Sequence, residues 1–142
     1  MTTADILALD FDGVLCDGMA EYFETSRRTA AKVWPGEPVP GDELLPAFRR
    51  LRPVIMTGWE MPLLLRAITH GRSEADILSD WERVRDAEVA TEPRARELGG
   101  LLTSTLDEVR REWIARDRVG WMRIVNINAL RQRWPPAWPP AP

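Results

Sequence analysis

The run Ile6-Leu7-Ala8-Leu9-Asp10-Phe11-Asp12-Gly13-Val14-Leu15-Cys16-Asp17 decides how this chain is read. Its first four residues are apolar and stop abruptly at two carboxylates one residue apart. A short apolar run closed by a turn signal suits a strand buried on both faces of a parallel sheet. Ligands of such sheets bind just beyond the carboxyl ends of the strands. Asp10 and Asp12 fall there, and Gly13 lets the backbone turn directly after them. Two carboxylates this close repel each other unless a cation or a shared proton offsets the charge. Mg²⁺ suits the pair, since it is often held by one or two carboxylates together with substrate phosphate. One aspartate can act as a nucleophile and form an aspartyl-phosphate while its neighbour handles protons. The plainer alternative is that Asp and Gly simply make a turn after a strand.

The wider pattern, a strand followed by D-F-D-G-V, Leu15, Cys16 and Asp17, resembles the first motif of the haloacid-dehalogenase-like (HAD-like) hydrolases. The resemblance implies an α/β, Rossmannoid core and Mg²⁺-dependent hydrolysis of a phosphate ester through an aspartyl-phosphate. It makes Asp10 the nucleophile and a metal ligand. Asp12 becomes the acid/base and offers its backbone carbonyl to the metal. It also implies a small flap and a mobile, commonly all-helical cap after the motif. The implied ligand is a small phosphorylated metabolite.

Composition narrows the class. At 142 residues, 44% hydrophobic and 29% charged, the chain suits one soluble globular domain. A net charge of −3 gives no general reason to expect nucleic acid or an anionic membrane as partner. One cysteine cannot form an internal disulfide, which fits a reducing compartment. No basic region leads into a long apolar stretch at the start, and no run approaches the ~20 apolar residues of a membrane span. A cytoplasmic protein is therefore expected. The basic residues are 18 Arg against the single Lys32, a bias that supports no binding hypothesis alone.

Downstream of the motif the spacing is helical. Met19, Tyr22, Phe23, Ala30, Val33 and Trp34 share one face of a helix that Pro35-Gly36 ends. Asp42 is a candidate N-cap for a helix with Leu44, Leu45, Phe48 and Leu51 inward, and Pro46 falls in its first turn. Thr57-Gly58-Trp59-Glu60 fits a capping box opening a helix with Leu63, Leu64, Ala67 and Ile68 inward. His70 and Gly71 suit its C-terminus. Ser73 opens a helix carrying Ile77, Leu78, Trp81 and Val84, and a further long helix runs from Leu98 to Trp113. Gly99-Gly100 predicts a kink or break there.

Three segments follow from this pattern. Residues 1–36 read as a piece of the HAD-like core, 37–117 as a helical cap, and 118–142 as a basic, irregular Trp/Pro-rich tail. The tail carries +4 and residues 1–117 carry −7, and W-P-P-A occurs twice near the end. The fold expected is thus α/β by resemblance but mostly α, with one or two strands and an incomplete core.

The doubtful second strand is Pro53 to Thr57. Ending in Thr-Gly, it resembles the family's second motif, which would make Thr57 a phosphate ligand; the alternative is Thr57 as a helix cap. Asp17 suits a turn or a cap better than a metal site, and His70 a surface or capping position. The phosphate-binding Lys and the later acidic pair of the family find no match. A truncated copy with little activity alone is therefore expected, and the rival is a non-catalytic, partner-binding helical module.

Overall fold

The helical periodicity is realised as seven α-helices in the computed structural model, which describes residues 16–125. They are α1 (Met19–Val33), α2 (Leu45–Leu51), α3 (Glu60–Thr69), α4 (Glu74–Ser79), α5 (Trp81–Ala90), α6 (Leu98–Arg116) and α7 (Arg118–Ile124). Short 3₁₀ turns, Asp42–Leu44 and Arg52–Val54, flank α2. No strand occurs among the described residues, where Cys16 stands alone in a β-bridge. The mostly-α reading holds. Ile6 to Leu9, with Asp10 and Asp12, lies outside the described residues, as does the tail from residue 126.

α3 is the centre. Every residue from Glu60 to Ala67 is buried. α1, α2, α5 and α6 all pack against it. An amphipathic reading made only Leu63, Leu64, Ala67 and Ile68 inward, yet Met61 and Leu65 are equally covered. A helix apolar on all sides belongs in the middle of a bundle. The core joins Phe23, Phe48, Leu51, Ile77 and Leu102 from α1, α2, α4 and α6 to Leu64 of α3 itself. Phe23 and Phe48 meet edge to face at 5.6 Å, a favoured aromatic geometry. α1 also packs on α6, so its residues belong to the same body as those of 37–117.

Helix ends follow local chemistry. α3 stops in a Schellman motif: Arg72 N–H donates to Ala67 O and Gly71 N–H to Ile68 O, both at 3.0 Å. Gly71 has φ +75°, a conformation that costs other L-residues. Ser73 caps α4 by accepting from the Asp76 amide at 3.0 Å.

Several expectations are corrected. The helix expected from Ser73 through Val84 is two helices, because Asp80 leaves helical geometry and caps α5 through the Arg83 amide at 3.1 Å. The break turns Leu78 outward, and it is 58% exposed. Asp42 is no helix N-cap; Gly41 precedes the 3₁₀ turn, and Asp42 pairs with Arg27 at 3.0 Å. Gly99-Gly100 does not break α6. Both lie in its first turn, where amides lack partners within the helix in any case. The stretch 118–142 is not irregular from its start, because Asp117 accepts the Gly120 amide at 2.8 Å and opens α7.

α1 also buries a polar row, Glu21, Thr25 and Thr29. Thr25 donates to Glu21 at 2.7 Å, and Arg110 of α6 donates to Glu21 at 2.8 Å. The Thr29 hydroxyl, fully buried, has no hydrogen-bond partner. Such a group carries its desolvation penalty uncompensated. Thr29→Val should therefore stabilise the fold by about 1 kcal/mol in urea unfolding. A loss of similar size would contradict an unpartnered hydroxyl.

Candidate functional site

The described chain begins at the last two residues of the acidic stretch. Cys16 is buried. Asp17 behaves as the turn chemistry suggests: its Oδ1 accepts the Met19 amide at 3.1 Å, while Oδ2 accepts from Arg49 Nη1 at 2.9 Å. Gly18 follows, and a Cβ there would come within 3.1 Å of Tyr22 Cζ. The Tyr22 ring thus lies across the start of α1. Over that ring sits the guanidinium of Arg52, 5.5 Å from its centroid. Arg49, from the last turn of α2, and Arg52, from the 3₁₀ turn after it, both reach the start of the first helix. That start, Met19, follows Asp12 by seven residues in sequence.

The same segment runs on into the loop that holds Thr57. Pro53 to Thr57 is not a strand: Pro53 sits inside the 3₁₀ turn, and the amides of Met56 and Thr57 are claimed by the Glu60 carboxylate at 2.9 and 3.3 Å. These amides are therefore unavailable to a sheet ladder. The glutamate half of the capping box is thus formed. α3 nevertheless begins at Glu60, after a turn in which Thr57 O accepts the Glu60 amide at 3.1 Å. Thr57 itself is exposed, and Met56 beside it is 87% exposed.

Glu60 holds this loop from below. It is buried, and Arg85 of α5 donates to its Oε1 at 3.0 Å. Burial pushes the Glu60 carboxyl up, but Arg85 and the two amides outweigh it and hold it below the usual carboxylate range. The Met56–Thr57 turn is consequently fixed by a charged group rooted in the core.

At the other end of α3 lies a second ionic cluster that no sequence motif marks. Arg66, buried, binds Glu37 at 2.6 Å and lies 2.6 Å from Glu92, a contact with ion-pair distance but not hydrogen-bond geometry. Burial opposes the Arg66 charge, but Glu37 above all, with Glu92 and Glu88, holds its pKa above the ordinary arginine value. His70 is the C-cap residue of α3, as its position suggested. Its Nδ1 is also 3.0 Å from Glu88 and its Nε2 3.4 Å from Glu37. The available signal was spacing: Arg66/His70 and Glu88/Glu92 are each four apart, on facing helical segments. The two ring nitrogens face different carboxylates, so these groups do not converge on one point.

A groove of about 310 Å³ between α1 and α6 is lined by Arg28, Lys32, Trp113 and Arg116. Lys32 is committed to Glu108 and Glu112 at 3.0 and 3.2 Å, and Arg28 lies 4.0 Å over the Trp113 ring. Its cations are largely spent on the fold. The start of α1 is the better candidate, since Arg49 and Arg52 meet there on Asp17 and Tyr22. Among the described residues no group of three or more His, Cys, Asp or Glu could hold a metal ion. No described helix is long and apolar enough to cross a membrane. Compared with known proteins, the chain matches no family model, no curated protein and no solved structure.

The Glu60 anchor has a pH signature. A carboxyl held below its unfolded value, about 4.3, stabilises fully above that pH and loses the contribution as pH falls through the folded value. Glu60→Gln should cost about 2 kcal/mol at pH 7, and the gap to the parent should narrow as pH falls below the unfolded carboxylate value of about 4.3. Urea unfolding above and below that value checks this; an equal penalty at both would contradict a charged Glu60.

Proposed function

We propose that the chain carries the nucleophile-bearing motif and helical cap of a HAD-like phosphohydrolase that acts on a small phosphorylated metabolite. The observation that carries this reading is the D-F-D-G-V motif, Asp10 to Val14, entering directly on a helical body. Asp10 attacks phosphorus and the ester oxygen leaves, taking its proton from Asp12. Asp12 then draws a proton from water, whose oxygen attacks the aspartyl-phosphate and releases inorganic phosphate. The donor set is hard oxygen, which suits Mg²⁺. The Asp10 carboxylate and the Asp12 backbone carbonyl would hold the ion, and when bound it supplies positive charge to the phosphoryl oxygens. Both aspartates lie outside the described residues.

The helices after the motif support the cap half of this reading. Arg49 and Arg52 both reach the start of α1, which follows the motif in sequence, so an anionic substrate received there would meet cationic groups. Thr57 is the proposed phosphate ligand, presented by an exposed turn whose backbone Glu60 holds.

The chemistry asks for more electrostatic partners than the sequence identifies. Each missing partner commonly costs about 10² to 10³ in rate. The full chain should therefore hydrolyse p-nitrophenyl phosphate only slowly, with activity that requires Mg²⁺ and is lost in Asp10→Asn. Activity unchanged in Asp10→Asn, or none at any protein concentration, would contradict the proposal and favour a non-catalytic helical module.

A further inference from the structure

Arg52 stands apart from the other arginines. Five described arginines are buried or half-buried: Arg27, Arg52, Arg66, Arg85 and Arg110. Four of them have a carboxylate: Arg27 pairs with Glu24, Arg66 with Glu37, Arg85 with Glu60 and Arg110 with Glu21. Arg52 has none. Its one hydrogen bond runs from Nη1 to Ile55 O at 3.5 Å, the long limit for such a contact, and its buried Nε has no partner. A guanidinium taken partly out of water costs free energy unless an anion faces it. This chain answers that cost with glutamate at four of five such positions and leaves the fifth open.

The open position is held in place. The guanidinium stacks over Tyr22, whose ring crosses the start of α1 at Gly18. Pro53 follows Arg52 in the 3₁₀ turn and limits its backbone. Arg49, three residues earlier, is already bound to Asp17. Among the described residues only Arg52 therefore brings an uncompensated charge to this end of α1. Arginine presents a planar fork that suits carboxylate and phosphoryl groups alike.

We propose that Arg52 is an oxyanion-binding residue, which takes a carboxylate or phosphoryl group of the small anionic ligand received at the start of α1. The ligand class rests on the phosphohydrolase reading; the open guanidinium does not. Because Nε is buried, the oxyanion meets the Nη groups.

Calorimetry on the full chain in Mg²⁺ tests this with two non-hydrolysed probes, inorganic phosphate and phosphonoacetate. Arg52→Met should weaken phosphonoacetate at least about 10-fold, the range of a charge-assisted hydrogen bond. Arg52→Lys should fall between parent and Arg52→Met, since it keeps the charge and loses the fork. Arg123→Met, an exposed arginine on α7, should bind as the parent does. If phosphate weakens in parallel, Arg52 takes the phosphoryl group; if phosphonoacetate alone weakens, it takes the second anionic group. Circular dichroism checks helicity, and should Arg52→Met fail to fold, the Arg52→Lys loss decides. Equal affinity in parent and variants, or no binding of either probe to the parent, overturns the proposal. Arg52-dependent binding without Asp10-dependent hydrolysis would sink the hydrolase reading alone. Asp10-dependent hydrolysis with Arg52-independent binding would sink this inference alone.

Discussion

The covering of α3 on all sides is the constraint on which the rest of the structure depends. Glu60 to Ala67 are all buried, so this helix has no solvent face to give away. Each buried Leu contributes roughly 2 kcal/mol, but only if α1, α2, α5 and α6 all close over the helix. The same burial carries two charges inward, Glu60 near one end and Arg66 near the other. A buried charge without its partner is strongly destabilising, by about 3–5 kcal/mol. Arg85 must therefore come to Glu60, and Glu37 and Glu92 to Arg66. These pairings fix where α5 and the loop after α1 lie.

The loop before α3 follows from that arrangement. Glu60 is charged and rooted in the core, so it can hold the amides of Met56 and Thr57 without moving. The segment just before this turn supplies Arg49 and Arg52. Packing of α3 thus bears on the backbone that brings Arg49 and Arg52 to the start of α1. Stability and the candidate chemistry share the single side chain of Glu60.

Much of this was legible from the sequence, for definable reasons. Helical periodicity located α1, and Ser73 and Gly71 marked ends that local hydrogen bonds alone determine. The break at Asp80 was missed because an apolar period continues through Ile77, Trp81 and Val84 while the backbone between them turns. Leu65 and Met61 were missed because one-faced periodicity does not describe a central helix. Thr57-Gly58 matched both a strand-end motif and a capping box, with Glu60 in sequence favouring the cap. Three-dimensional competition for the Met56 and Thr57 amides decided against the strand. The lone charge of Arg52 had no sequence signal at all, since 17 other arginines surround it in the composition and partners are a property of the fold.

Asp10 and Asp12 carry the functional account. Calorimetric titration of the full chain with Mg²⁺, in parent and Asp10→Asn, tests them most directly. The account predicts a binding heat in the parent that is lost in Asp10→Asn, because Asp10 is the proposed carboxylate ligand of the ion. Equal Mg²⁺ affinity in the two proteins would contradict it.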